Sequence, residues 1–147
     1  MNLDGLIHEV AATIRPLYQI GNTPVFEQDL DDVAQSIENI AKTDRCIIVK
    51  WNGCEHVATG RPDGDARDEL YVQANLVVSV YENPSNNRIG GGSHHLLGMA
   101  AEIAKALNGL GTEDMDEGLH FVSITPIERL AHGVITCDVV FRTKNSI

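Results

Sequence analysis

Aromatic residues are scarce in this chain: rings make up 5% of its 147 residues. That is too few for a base-stacking platform, which needs exposed rings to take successive nucleotides. Basic residues are nearly as scarce, with 11 Lys and Arg against 21 Asp and Glu, for a net charge of -10. Such a surface repels phosphate and offers no basic stripe, which argues against sequence-specific nucleic-acid binding. The acid excess suits ordinary solubility; it equally suits a surface that DNA must pass without sticking. No run is apolar and long enough to span a bilayer, and the opening MNLDGLIHEV lacks the regions of a signal peptide. The expectation is a protein made and kept in a cytoplasm, with no membrane partner, unless it leaves as part of an assembly. Three cysteines cannot all pair with one another. Cys46 and Cys54 are not spaced as a zinc knuckle, while Cys46 and Cys137 sit in strand-like runs, where a thiol acts as a small hydrophobe.

What is present is a core. Apolar residues reach 43%, and a chain of this length is expected to fold as one domain, residues 1–147, without disulfides or metal. Leu3, Leu6, Ile7, Val10, Ala11, Ile14 and Leu17 follow helical spacing, with Asn2 placed as the cap and Pro16 as a stop. After a short extended piece, Thr23 to Glu27, a second helix is predicted from about Asp29, with Leu30, Val33, Ala34, Ile37, Ile40 and Ala41 as its stripe. Cys46 to Trp51 reads as a strand, Asn52-Gly53 as a hairpin turn, and Glu55 to Thr59 as the returning strand. Gly60 to Asp68 is turn-rich and, like Asn83 to Gly92, is expected to be mobile in a lone subunit and ordered by partners. Ser93 is placed to cap a helix whose buried stripe is Leu96, Leu97, Ala100, Ile103, Ala104 and Leu107, ended by Gly109 and Gly111. Strands Leu119 to Thr125 and Val134 to Thr143 follow. The fold class is α+β: a mainly antiparallel sheet of about four long strands with helices packed on one face.

The strand from Leu70 to Tyr81 dominates this plan. Leu70, Val72, Ala74, Leu76, Val78 and Val80 alternate with Tyr71, Gln73, Asn75, Val77, Ser79 and Tyr81. Period two gives one apolar and one mostly polar face. At ~3.3 Å per residue the run reaches ~40 Å, about twice a typical strand. Either one end projects, bends or meets a partner, or the strand is bulged inside one sheet. If a partner is met, Tyr71, Gln73, Asn75, Val77, Ser79 and Tyr81 are the candidate subunit-interface residues.

Catalytic and ligand chemistry is weakly signalled. Gly90-Gly91-Gly92-Ser93 before a helix has the free N–H groups that attract anions, yet neither the lysine of a P-loop nor dinucleotide spacing. His94 and His95, with His56, His120 or His132, invite a metal reading, but helix neighbours point ~100° apart and rarely chelate together. Asp63, Asp65, Asp68 and Glu69 lack the ligand order of an EF-hand. No GxSxG elbow occurs, and no cysteine has a base nearby in sequence. The expectation is no catalytic residue, no cofactor and no metal site.

The order of these pieces resembles that of the tail-terminator (tail-completion) proteins of tailed bacteriophages and prophages. The opening helix LIHEVAATIRPL, the strand CIIVKWNG, the long strand ELYVQANLVVSVYEN, the helix HHLLGMAAEIAKALNGL and the close LHFVSITPIERLAHGVITCDVVFRTK carry the likeness. Within the last piece, ITPIERL, the turn Ala131-His132-Gly133 and an alternating strand are the most suggestive. The resemblance implies a structural virion protein: a homohexameric ring that caps the tail tube, stops its polymerisation and later meets the head-completion or connector proteins. It would act at the head–tail junction after assembly in the host cytoplasm. Two alternatives stay open: another ring-forming connector or injection-machine component, and a small metal- or ligand-binding enzyme using the histidines.

Overall fold

The computed structural model describes residues 1–18, 23–28, 44–57, 70–85 and 95–147. Helix α1 spans Leu3–Ile14, and its cap is the expected one: Gly5 N–H donates to Asn2 Oδ1 at 3.1 Å. The stripe Leu6, Ile7, Val10, Ala11 and Ile14 is buried, and a 3₁₀ turn, Arg15–Tyr18, carries Pro16. Strand β1 (Val25–Glu27) then runs parallel to β2 (Arg45–His56). The helix predicted from Asp29 to Ala41 lies outside the described residues, as do nearly all of the two segments expected to be mobile.

The hairpin expected at Asn52-Gly53 is a bulge instead. Strand β2 continues through it, and both arms pair with the same partner, β3 (Tyr71–Glu82). Trp51 faces Leu76 and Cys54 faces Ala74, so Asn52 and Gly53 together oppose Asn75. A glycine at φ 84° serves a bulge as readily as a hairpin turn. Because β3 is long, a partner strand was available beyond the kink. Glu55 and His56 therefore meet Gln73 and Val72 rather than folding back on Cys46–Trp51.

The remaining strands are β4 (His120–Ile124), β5 (Glu128–Arg129) and β6 (Ile135–Ser146), the last two separated by a 3₁₀ turn at Ala131–Gly133. Among the described residues the sheet has six strands, the long ones joined by short β1 and β5, in the order β1-β2-β3-β6-β4 with β5 also on β6, and all pairs but β1·β2 are antiparallel, as the α+β class expected. Strand β3 does not project. It pairs with β6 through twelve successive residues and with β2 across the bulge, all three strands being twelve residues long.

Helix α2 (Leu96–Leu107) packs with α1 on one face of the sheet. Leu6, Ile14, Leu96, Met99 and Ile103 meet Ile47, Val49, Leu76, Val78, Val80, Val139 and Phe141 in the main core. Full burial of each such side chain contributes ~1.5–3 kcal/mol. Tyr18 ties the 3₁₀ turn to α2 by donating to Glu102 Oε2 at 3.0 Å, and burial first, then that carboxylate, pushes its phenol pKa up.

The start of α2 differs from expectation. Ser93 lies outside the described residues; the helix begins at Leu96, and the capping residue His95 makes no side-chain cap bond. Instead Leu96 N–H donates to Glu82 Oε2 at 2.5 Å, and His95 Nδ1 lies 3.2 Å from Glu82 Oε1. The last residue of β3 thus caps the next helix, setting a carboxylate against its positive end. At the far end Gly109, at φ 87°, begins the exit, and its N–H donates to Leu119 O at 2.7 Å. Gly118 lies so close that a Cβ there would stand 2.5 Å from Gly109 O.

Candidate interaction surface

Alternation places Tyr71, Gln73, Asn75, Val77, Ser79 and Tyr81 on the side of the sheet away from the helices, and the register lines up neighbours for each. Along β3 that face divides in two. Toward Glu82 it is closed within the chain: Val77, Ser79 and Tyr81 are buried. Ser79 Oγ donates to Asp138 Oδ1 at 2.6 Å. Tyr81 accepts from Lys50 Nζ at 3.1 Å and packs with Cys46, Ile48 and Val134 in a second small cluster.

Toward Tyr71 the face is open. Tyr71, Gln73 and Asn75 are half-buried, and β6 sets Lys144 opposite Gln73 and Arg142 opposite Asn75. Arg142 Nε donates to Asn75 Oδ1 at 3.3 Å, and His120 of β4 lies opposite Arg142. Arg142, Lys144 and His120 are all exposed, a basic corner on an acidic chain. A hollow of about 380 Å³ lies among Glu117, His120, Val122, Arg142, Thr143 and Lys144. His120 Nε2 stands 3.6 Å from Glu117 Oε2.

Exposed apolar side chains run from this corner, where Val122 lines the hollow, to the opposite end of the sheet, where Ile127 and Leu130 flank β5 beside Ile135 and Thr136. Phe121, Val122, Ile127 and Leu130 are exposed along β4 and the segment leading past β5. Phe121 also stacks edge-on against Phe141 at a centroid distance of 6.2 Å. The outer rim of β4 is irregular: Phe121 N–H donates to Asn108 Oδ1 at 3.1 Å, and a bulge at Val122 shifts the register between Phe121 and Ser123.

The sequence signalled the face but neither the basic corner, which needs the β3–β6 and β4–β6 registers, nor the apolar strip. The exposed Phe121, Val122, Ile127 and Leu130 were legible only as ordinary strand and turn residues.

No gathered ligand set replaces this surface. Among the described residues no three His, Cys, Asp or Glu side chains come together as a metal site would require. His56 is exposed on β2, His95 at the start of α2, His120 on β4 and His132 in the 3₁₀ turn at φ 61°. His94, the Gly90–Gly92 triplet and the Asp63–Glu69 acidic run lie outside the described residues. Burial pushes the Cys46 thiol up to about 12 and the Cys137 thiol up to about 11, the latter with help from Asp138, while Cys54 is exposed. No described helix is long and apolar enough to cross a membrane.

No protein-family model matches the chain, and no curated protein does. Among solved structures, it is similar to a chain of the "Virion of native gene transfer agent (GTA) particle", at TM-score 0.49 and 15% identity, over 96% of this chain and 92% of that one.

Proposed function

We propose that residues 1–147 form one structural subunit of a phage-type tail terminator: a homohexameric ring that caps the tail tube, ends its polymerisation and offers the joint to head-completion proteins. The role is assembly rather than catalysis, and the place is the head–tail junction of a virion, reached from the host cytoplasm. The element order that carries the sequence resemblance is present as α1, β2, β3, α2, β4 and β6.

One observation carries the reading. A continuous three-strand platform has one end of its outer face completed by the chain itself and the other left open beside the exposed Arg142, Lys144 and Val122. Tyr71, Gln73 and Asn75, with the exposed Val122 at the adjoining hollow, offer the mixed polar and apolar contact that subunit interfaces use. Val77, Ser79 and Tyr81 continue the same face toward Glu82, where they are buried. Contacts between unlike patches generate rings when the rotation closes.

The test joins solution mass to tail length. Light scattering across a wide concentration range, with and without tail-tube protein, should find a hexamer. Electron microscopy of tubes grown with the protein present should find them shortened or capped. Monomer under every condition, with tubes of unaltered length, would overturn the reading.

A further inference from the structure

We propose that the basic corner of one subunit receives the acidic turn of the next, so that Arg142 and Lys144 meet Glu113 and Asp116 around the assembled ring. This rests on the ring reading and names the surfaces that would make it.

The charge balance sets the problem. Subunits each carrying -10 repel one another, so close association calls for a local patch of opposite sign. Arg142 and Lys144 supply one. Two apart on β6, they project to the same side ~7 Å apart, exposed at the hollow that His120, Val122 and Thr143 complete.

The complementary piece is held in place. In the turn before β4, Asn145 Oδ1 accepts from Asp116 N–H at 2.5 Å and Glu117 N–H at 3.0 Å, while Thr143 Oγ donates to Glu117 O at 2.9 Å. Asp114 accepts from Asn2 N–H at 2.8 Å and from the Thr112 hydroxyl. Glu113 and Asp116 are left with exposed carboxylates on an ordered turn. Little ordering of the turn's backbone remains to oppose binding.

Position makes the contact intermolecular. Thr143 and Asn145, which hold the turn, are buried on the helix side of β6 in line with Phe141. Arg142 and Lys144 point to the other side. The turn is thus anchored from the helix side of the strand that carries the two cations on its other side, and among the described residues no ion pair joins Arg142 or Lys144 to Glu113 or Asp116. A contact between unlike surfaces repeats head to tail. Glu117, at the rim between the faces, stays with His120.

Reciprocal charge exchange on the full chain tests this. Arg142→Glu with Lys144→Glu makes a subunit acidic on both surfaces, and Glu113→Lys with Asp116→Lys makes one basic on both. Sedimentation velocity at low salt should show each variant at least about tenfold weaker in self-assembly than the unaltered protein. An equimolar mixture should assemble again, because each turn then finds an opposite corner. Arg142→Gln with Lys144→Gln gives a milder loss should the reversal disturb folding, and circular-dichroism melts confirm that each variant is folded. Variants that assemble alone as well as the unaltered protein would overturn the proposal while leaving the ring intact. So would a mixture that does not recover. An unaltered protein that stays monomeric throughout would overturn both readings.

Discussion

Replacing Glu82 should uncouple the long strand from the helix that follows it, and the cost can be built from its contacts. Its carboxylate is 3% exposed and takes the Leu96 N–H at 2.5 Å, where the helix has no side-chain cap of its own. Losing a capping acceptor costs ~0.5–2 kcal/mol. Glu82 also lies directly across β2·β3 from Arg45, a guanidinium that is 5% exposed. Taking the negative charge from opposite a buried positive one costs ~1–3 kcal/mol. Glu82→Ala loses both and should destabilise the protein by roughly 1.5–5 kcal/mol in all. Glu82→Gln retains an acceptor for Leu96 and loses only the charge, which predicts roughly 1–3 kcal/mol. His95→Ala removes a partner whose ring is 64% exposed and should cost ~1 kcal/mol or less. Urea titrations at one fixed protomer concentration would rank the three. A Glu82→Ala protein within ~0.5 kcal/mol of the unaltered one would sink this account, as would equal losses for Ala and Gln; the quantity is ordinary surface noise.

Three further outcomes follow from other residues. Gln73→Lys should leave the thermal melt nearly unchanged while weakening assembly, whereas Tyr81→Asp, which buries a charge in the Cys46–Ile48–Val134 cluster, should lower stability by ~3 kcal/mol or more; matched melts and light scattering separate the two. A thiol reagent at neutral pH should label Cys54 alone in the native protein and all three cysteines in urea, because Cys46 and Cys137 are buried with thiols raised to about 12 and about 11. The Thr112 hydroxyl, foremost, holds the Asp114 carboxyl below its usual range, so its contribution is present above the ordinary carboxylate pKa and fades as pH falls through the lowered value; Asp114→Asn should melt earlier than the unaltered protein at pH 7, with the difference gone in strong acid.

Local signals were legible where the partner was local. Asn2 caps α1 three residues on, the stripes of α1 and α2 are buried as spaced but for half-buried Leu3 and exposed Leu17 and Leu97, and the alternation from Tyr71 to Tyr81 sorts residues correctly between two faces. What failed depended on distance. The Asn52-Gly53 pair supplies a positive φ, and only the length of β3 decides between a turn and a bulge. Glu82 caps a helix fourteen residues away, where a serine nearer the helix had the local qualification. Period two tells which residues share a face, not what lies over them. Ser79 finds Asp138 fifty-nine residues on, so half of the face predicted for a partner is closed by the chain itself.

The irregular rim of β4 bears on how the folded chain behaves when it is crowded. A straight, bare strand edge is a template on which further chains can stack without limit. Here the Asn108 amide occupies one backbone donor and the kink at Val122 breaks the spacing of the rest. Fibrous growth along that edge has no regular ladder to copy. That edge is therefore a poor template for fibrous growth even though Phe121 and Val122 are uncovered along it.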